Sequence, residues 1–71
     1  RSLLLHNDEV NTFDFVIMSL EEVCEFGQDQ ATQIAFIAHY KGTCVVKKGR
    51  FDELDVFRKQ LISRGLYATI D

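Results

Sequence analysis

The pattern of apolar and polar residues predicts an α+β domain. It is a small three-stranded antiparallel sheet with three helices on one face, in the order β-α-α-β-α-β. Three observations predict this. Two stretches with helical spacing follow one another across a short glycine-containing connection. Short apolar or β-branched runs stand at the start, the middle and the end of the chain. A third helical stretch separates the last two runs, and three strands suffice for one small sheet covered by helices.

Each element has its own signal. Ser2 to His6 is a short apolar run and reads as a strand. Asn7 to Asn11 is a polar loop. The first helix is expected from about Thr12, with Asn11 as its N-cap and Asp14 three residues on, where a capping-box acid sits. Phe13, Val16, Ile17, Leu20, Val23 and Cys24 recur at three-four spacing and define a buried face. Glu21, Glu22 and Glu25 fall on or beside the solvent side. Gly27 is expected to close the helix in the left-handed conformation.

Asp29 then caps a second helix from Gln30 to Lys41, closed by Gly42. Its Ile34 to Ala38 run is apolar nearly all round, so a central, multiply buried helix is expected. Thr43 to Lys47 is rich in β-branched residues and reads as a strand. Lys48-Gly49-Arg50 is a turn, and a solvated one. Phe51 or Asp52 opens the third helix, with Leu54, Phe57 and Leu61 toward the core. Gly65 ends it, and Leu66 to Ile70 forms the last strand.

Seventy-one residues make one domain, 1–71, which buries only about 60% of its unfolded surface. That leaves little room for a deep catalytic cleft, although a pocket for one side chain fits. Hydrophobic content of 46% with 27% charge belongs to a folded domain and not to a disordered tail. A net charge of −3 argues against nucleic acid, which needs a basic face, and suits a cationic ligand. The apolar run Ile34 to Ala38 is too short to cross a bilayer, so no membrane partner is expected. No signal-peptide pattern is visible. Cys24 and Cys44 have no Cys-x-x-Cys partner and read as buried thiols in a reducing cytoplasm. With His6 and His39 they lack metal-site spacing, so no metal and no cofactor are expected. Cys24 and His39 are the only conceivable nucleophile and base, and Cys24 falls on the core face, where a thiol is inert. The chain therefore does not read as an enzyme.

One constellation carries chemistry. Asn7 and Asp8 place an amide and a carboxylate where an apolar strand ends, and His39 stands at the end of the second helix. Read alone, each has an ordinary explanation: turn chemistry for the pair, contact with the last helix carbonyls for the histidine. Brought together, they could surround a small cation such as a free amino terminus.

The residue pattern resembles the ClpS family of proteolytic adaptors. The matching pieces are Asn7-Asp8, Phe15-Val16, Gln30-Ala31-Thr32-Gln33-Ile34 and His39-Tyr40-Lys41-Gly42, within a good match from about Leu3 to Val45. The resemblance implies an adaptor that binds proteins with a free, bulky hydrophobic first residue (Leu, Phe, Tyr or Trp) and delivers these N-degron substrates to a Clp AAA+ ATPase of the ClpA or ClpC type. It implies that Asn7, Asp8 and His39 hold the first residue's amine and its neighbouring backbone, and that Asn11, Phe13, Val16, Ala35, Ala38 and Leu66 line the side-chain pocket. The sequence departs from the family at Asn11-Thr12-Phe13, often Thr-Pro-Met, and at Ala35, often a larger residue such as Met. The smaller wall predicts better tolerance of β-branched or larger first residues, unless Phe13 leans in and refills the space. The third helix is several residues shorter than the family pattern, so no unfoldase-docking residues carry over. Delivery in this family also uses a flexible N-terminal tail, and almost none precedes Ser2. Two readings stay open beside this one: an interaction module of the same fold, in the manner of the ribosomal stalk protein's C-terminal domain, and the ClpS-like domain of a larger N-degron ubiquitin ligase.

Overall fold

A computed structural model describes all residues from Arg1 to Asp71. The elements are β1 (Ser2–His6), α1 (Phe13–Cys24), α2 (Gln28–Lys41), β2 (Thr43–Lys48), α3 (Phe51–Ser63) and β3 (Ala68–Ile70). The order is β-α-α-β-α-β, and the three strands form one antiparallel sheet in the order β2-β1-β3. β1 is central because both flanking strands reach it from later in the chain. Leu5 lies opposite Cys44 on one side and Ala68 on the other. The register with β2 slips between Leu3 and Leu4, a bulge that leaves Val46 without a direct partner.

Alternation along β1 sends Leu3 and Leu5 into the core. α2 packs on β1 and β2, α3 packs on β1 and β3, and α1 lies against α2 and α3. Leu20 and Val23 of α1, Ala31, Ile34 and Ala38 of α2, and Leu54 and Leu61 of α3 close the core over Leu3 and Leu5. Phe57, expected to face the core, is half-buried against its edge, with the Lys47 ammonium 5.0 Å from its ring centre. The opposite sheet face carries Val45, which is largely exposed, and His6. His6 is half-buried, with its Nε2 2.6 Å from Thr69 Oγ1.

Several boundaries differ from the sequence reading, each for a physical reason. The N-cap of α1 is Thr12 and not Asn11: Thr12 Oγ1 accepts from the Phe15 N–H at 3.1 Å, while the Asn11 side chain is engaged elsewhere. α1 ends at Glu25, which takes the left-handed conformation at φ 59°. The early reversal lets Phe26 pack back onto the core. Gly27 is extended and serves as the N-cap of α2, so Asp29 lies inside the first turn and does not cap it. A carboxylate there still favours the helix dipole.

α2 is not buried all round. Phe36 is 43% exposed and Tyr40 is 74% exposed, because α1 and the sheet cover only the Ile34-Ala35-Ala38 side. β2 runs one residue further, to Lys48, so the turn is Gly49-Arg50. At the start of α3 the Glu53 carboxylate accepts from the Arg50 N–H at 3.2 Å. β3 is shorter than expected and begins at Ala68, although the His6 N–H still reaches the Tyr67 carbonyl at 2.9 Å. Cys24 is a buried free thiol, whereas Cys44 is only half-buried.

Candidate functional site

Two backbone ties set where the polar loop after β1 can go. The Asn7 N–H donates to the carbonyl of Gly42 at 2.9 Å. Gly42 closes α2 with φ +92°, its own N–H bonded to the Ala38 carbonyl at 3.0 Å. A positive φ of this kind suits glycine and ends the helix abruptly. The end of β1 is thereby pinned beside the last turn of α2, where His39 stands. At the other end of the loop, the Asn11 side-chain amide donates to the Gly65 carbonyl at 2.9 Å. Gly65 has φ +87°, and the turn it makes delivers Leu66, 4% exposed.

These ties surround a cavity of about 330 Å³, within the range of small ligand sites. Asn7, Asp8 and His39 line it, and so do Asn11, Phe13, Val16, Ala35, Ala38 and Leu66. The structure therefore gathers the polar triplet and the apolar wall around one space. Leu5, His6, Glu9 and Thr12 line it as well, and sequence reasoning did not single them out. Glu9 had a signal, being acidic and next to Asp8. Leu5 could have been placed by alternation from Leu3. His6 and Thr12 gave none.

The polar side chains are not equivalent. Asn7 Oδ1 accepts from the Asp8 N–H at 2.9 Å, and the Asn7 –NH₂ group makes no hydrogen bond within the chain. Asp8 organises the loop: one oxygen accepts from the Val10 N–H at 2.7 Å and the Asn11 N–H at 3.3 Å, and the other accepts from the Asn11 side chain. Burial pushes the Asp8 carboxyl upward. The bonds from Val10, the Asn11 side chain and the Asn11 backbone outweigh it and hold the group below the usual carboxylate range. A carboxylate has about four lone-pair sites, so Asp8 keeps acceptor capacity beyond these three donors. Glu9 is exposed and makes no side-chain hydrogen bond or ion pair within the chain. No lysine or arginine lines the cavity, whereas the acidic Asp8 and Glu9 do.

The apolar side is walled by α1 and α2. Phe13, 37% exposed, leans across to α2 and meets Phe36 at 4.9 Å and His39 edge-on at 4.9 Å between ring centres. Tyr40 also meets His39 edge-on, at 4.9 Å. The His39 ring thus contacts two aromatic rings. Ala35, 3% exposed, and Ala38 present only methyl groups, which keeps the space between the helices open. The arrangement can accept a cation with N–H donors at its mouth and an apolar group below.

Comparison with known proteins agrees with this geometry. Residues 2–69 match the family described as ATP-dependent Clp protease adaptor protein ClpS. The Clp protease adapter ClpS of Synechococcus elongatus is 36% identical over 70 residues, covering 97% of this chain and 74% of that protein. The ClpS of Corynebacterium glutamicum is 30% identical over 67 residues, covering 94% of this chain and 67% of its own length. That of Nitratidesulfovibrio vulgaris is 45% identical over 40 residues, covering 56% of this chain and 40% of that protein.

Proposed function

The chain belongs to the ClpS family of ATP-dependent Clp protease adaptor proteins, and we propose on that premise that it binds substrates through a free, bulky hydrophobic N-terminal residue. As an adaptor of this protease it is non-catalytic and has a Clp ATPase as its partner. The ATPase would be of the ClpA or ClpC type, and the setting the cytoplasm. No helix is long and apolar enough to cross a membrane.

One observation carries the proposal: polar side chains with acceptor groups and an apolar wall line a single cavity. An α-amino group is mostly charged at neutral pH and brings N–H donors that must be satisfied when it leaves water. His39 accepts through an unprotonated ring nitrogen. Asp8 and Glu9 supply negative charge, and Asp8 retains lone-pair capacity. The free –NH₂ of Asn7 suits the first peptide carbonyl, the next polar group along the ligand. The first side chain enters between Phe13 and Val16 on one helix and Ala35 and Ala38 on the other, with Leu66 beside them.

Burying a Leu- or Phe-sized side chain contributes about 1.5–3 kcal/mol. Each hydrogen bond to the charged amine contributes about 1.5–3 kcal/mol. The side chain with two such bonds spans about 4.5–9 kcal/mol, a range that includes the roughly 8 kcal/mol of micromolar binding, and neither part reaches it alone. The test is fluorescence anisotropy with peptides that differ only at residue one. Leu, Phe, Trp and Ile peptides are compared with Gly and with acetyl-Leu, for the wild type and His39→Ala. Selective binding of free bulky termini, weakened in the variant, is expected. Equal binding of Leu and acetyl-Leu peptides would overturn amine capture.

A further inference from the structure

We propose that Asn11 is a positioning residue that couples the amine end of the site to its side-chain pocket, and so sets how sharply the first residue is discriminated. This rests on the N-degron reading above. Asn11 is not the helix cap its sequence position suggests, because Thr12 fills that role. Its side-chain nitrogen instead spans two segments far apart in sequence. One N–H goes to the Asp8 carboxylate, in the loop that faces the amine. The other goes to the Gly65 carbonyl at 2.9 Å, one residue before Leu66.

Both donors of one planar amide are used in a fixed geometry, so loop and turn cannot move independently. The Asp8 carboxylate also accepts the Asn11 backbone N–H at 3.3 Å, which fixes where the Asn11 side chain starts. Gly65 is the natural place for such a tie. Its left-handed conformation at φ +87° exposes its carbonyl while Leu66, anchored through its N–H to the Leu61 carbonyl at 3.1 Å, turns inward. No other side chain bonds the loop to the α3–β3 turn. Without Asn11, the wall carrying Leu66 and the loop carrying Asp8 and Glu9 are held by separate contacts. The slot then loses its fixed width.

The test compares Asn11→Ala and Asn11→Asp with the wild type, using Leu-, Ile- and Ala-starting peptides and the ratio of their Kd values. The Leu-over-Ala ratio should fall by about fourfold in Asn11→Ala, the scale of one ligand methylene losing its contact with the pocket wall. It should fall at least as far in Asn11→Asp, which places a like charge beside Asp8. A variant that is only less stable weakens all peptides by the same factor, through the folded fraction, and leaves the ratio unchanged. Wild-type ratios in both variants therefore overturn the proposal. A wild type that shows no selectivity removes the underlying reading itself, which separates the two failures. If the variants do not fold, the wild type still decides: the Asn11 side-chain amide protons should exchange with solvent more slowly than those of Asn7, and equal rates overturn the coupling.

Discussion

Ala35→Met gives the sharpest test of how the pocket chooses its ligand. Ala35 is 3% exposed yet lines the cavity of about 330 Å³, so on the proposed function its methyl borders the ligand. The wall opposite is Phe13 and Val16. The Phe13 ring is engaged by Phe36 and His39. A thioether arm from position 35 would enter the slot itself. If it displaces the room for one or two ligand methylenes, the loss is about 0.8–1.6 kcal/mol, or about four- to fifteenfold in Kd. The loss should fall on β-branched and larger first residues such as Ile and Trp, while Leu changes by less. Anisotropy with Leu, Ile and Trp peptides reads the ratios, and a thermal melt reads stability. Because the arm fills an open space, the melt should not show the roughly 1–3 kcal/mol cost of overpacking a core. Equal losses for all peptides, or a large drop in melting temperature, would refute the idea that Ala35 borders ligand space.

Three further outcomes are expected. Thr12→Ala should destabilise the fold by about 1 kcal/mol in urea unfolding, through loss of the cap to Phe15; an unchanged midpoint would contradict that assignment. Glu25→Gly should raise stability by about 0.5–1 kcal/mol, since a side chain in the left-handed region costs about 1–2 kcal/mol and the added freedom of glycine when unfolded offsets part of the gain; a lower unfolding midpoint would count against relief of strain at φ 59°. For Asp8 the folded carboxyl lies below its ordinary value of 3.8. Its contribution to stability is therefore complete above that value and is lost as pH falls through the lower folded one. The Val10 and Asn11 amide resonances should titrate with a midpoint below 3.8, and a midpoint at or above that value would show that the carboxyl is not held down.

Much of the fold is legible in the chain because its signals are local. The three-four recurrence from Phe13 to Cys24, the glycine after Lys41 and the β-branched Thr43–Val46 run each act within a few residues, and the corresponding elements formed. Errors gathered where two local solutions compete. Asn11 and Thr12 are both good caps, and propensity does not choose between them. Gly27 and Glu25 both lie where α1 could close, and the chain uses the residue that costs more locally because Phe26 gains burial. Phe36 and Tyr40 belong to an apolar run, yet they face outward, since a run does not say which of its sides a neighbour will cover. The site residues are legible through resemblance to a family and not through periodicity, because Asn7 and His39 are thirty-two positions apart.

What the sequence determined alone is the set of elements, their order, and the polar loop followed by an amphipathic helix. Those follow from spacing and from backbone preferences, which each segment carries with it. What only the tertiary structure decided is the division of labour inside the site. The Asn7 N–H finds the Gly42 carbonyl and Asn11 finds the Gly65 carbonyl. Those meetings turn Asp8 into the loop's anchor, leave Glu9 as an unengaged carboxylate and release Asn7's amide as a donor. A hydrogen bond between segments far apart in sequence depends on where packing puts both ends, and no local pattern in either segment encodes that.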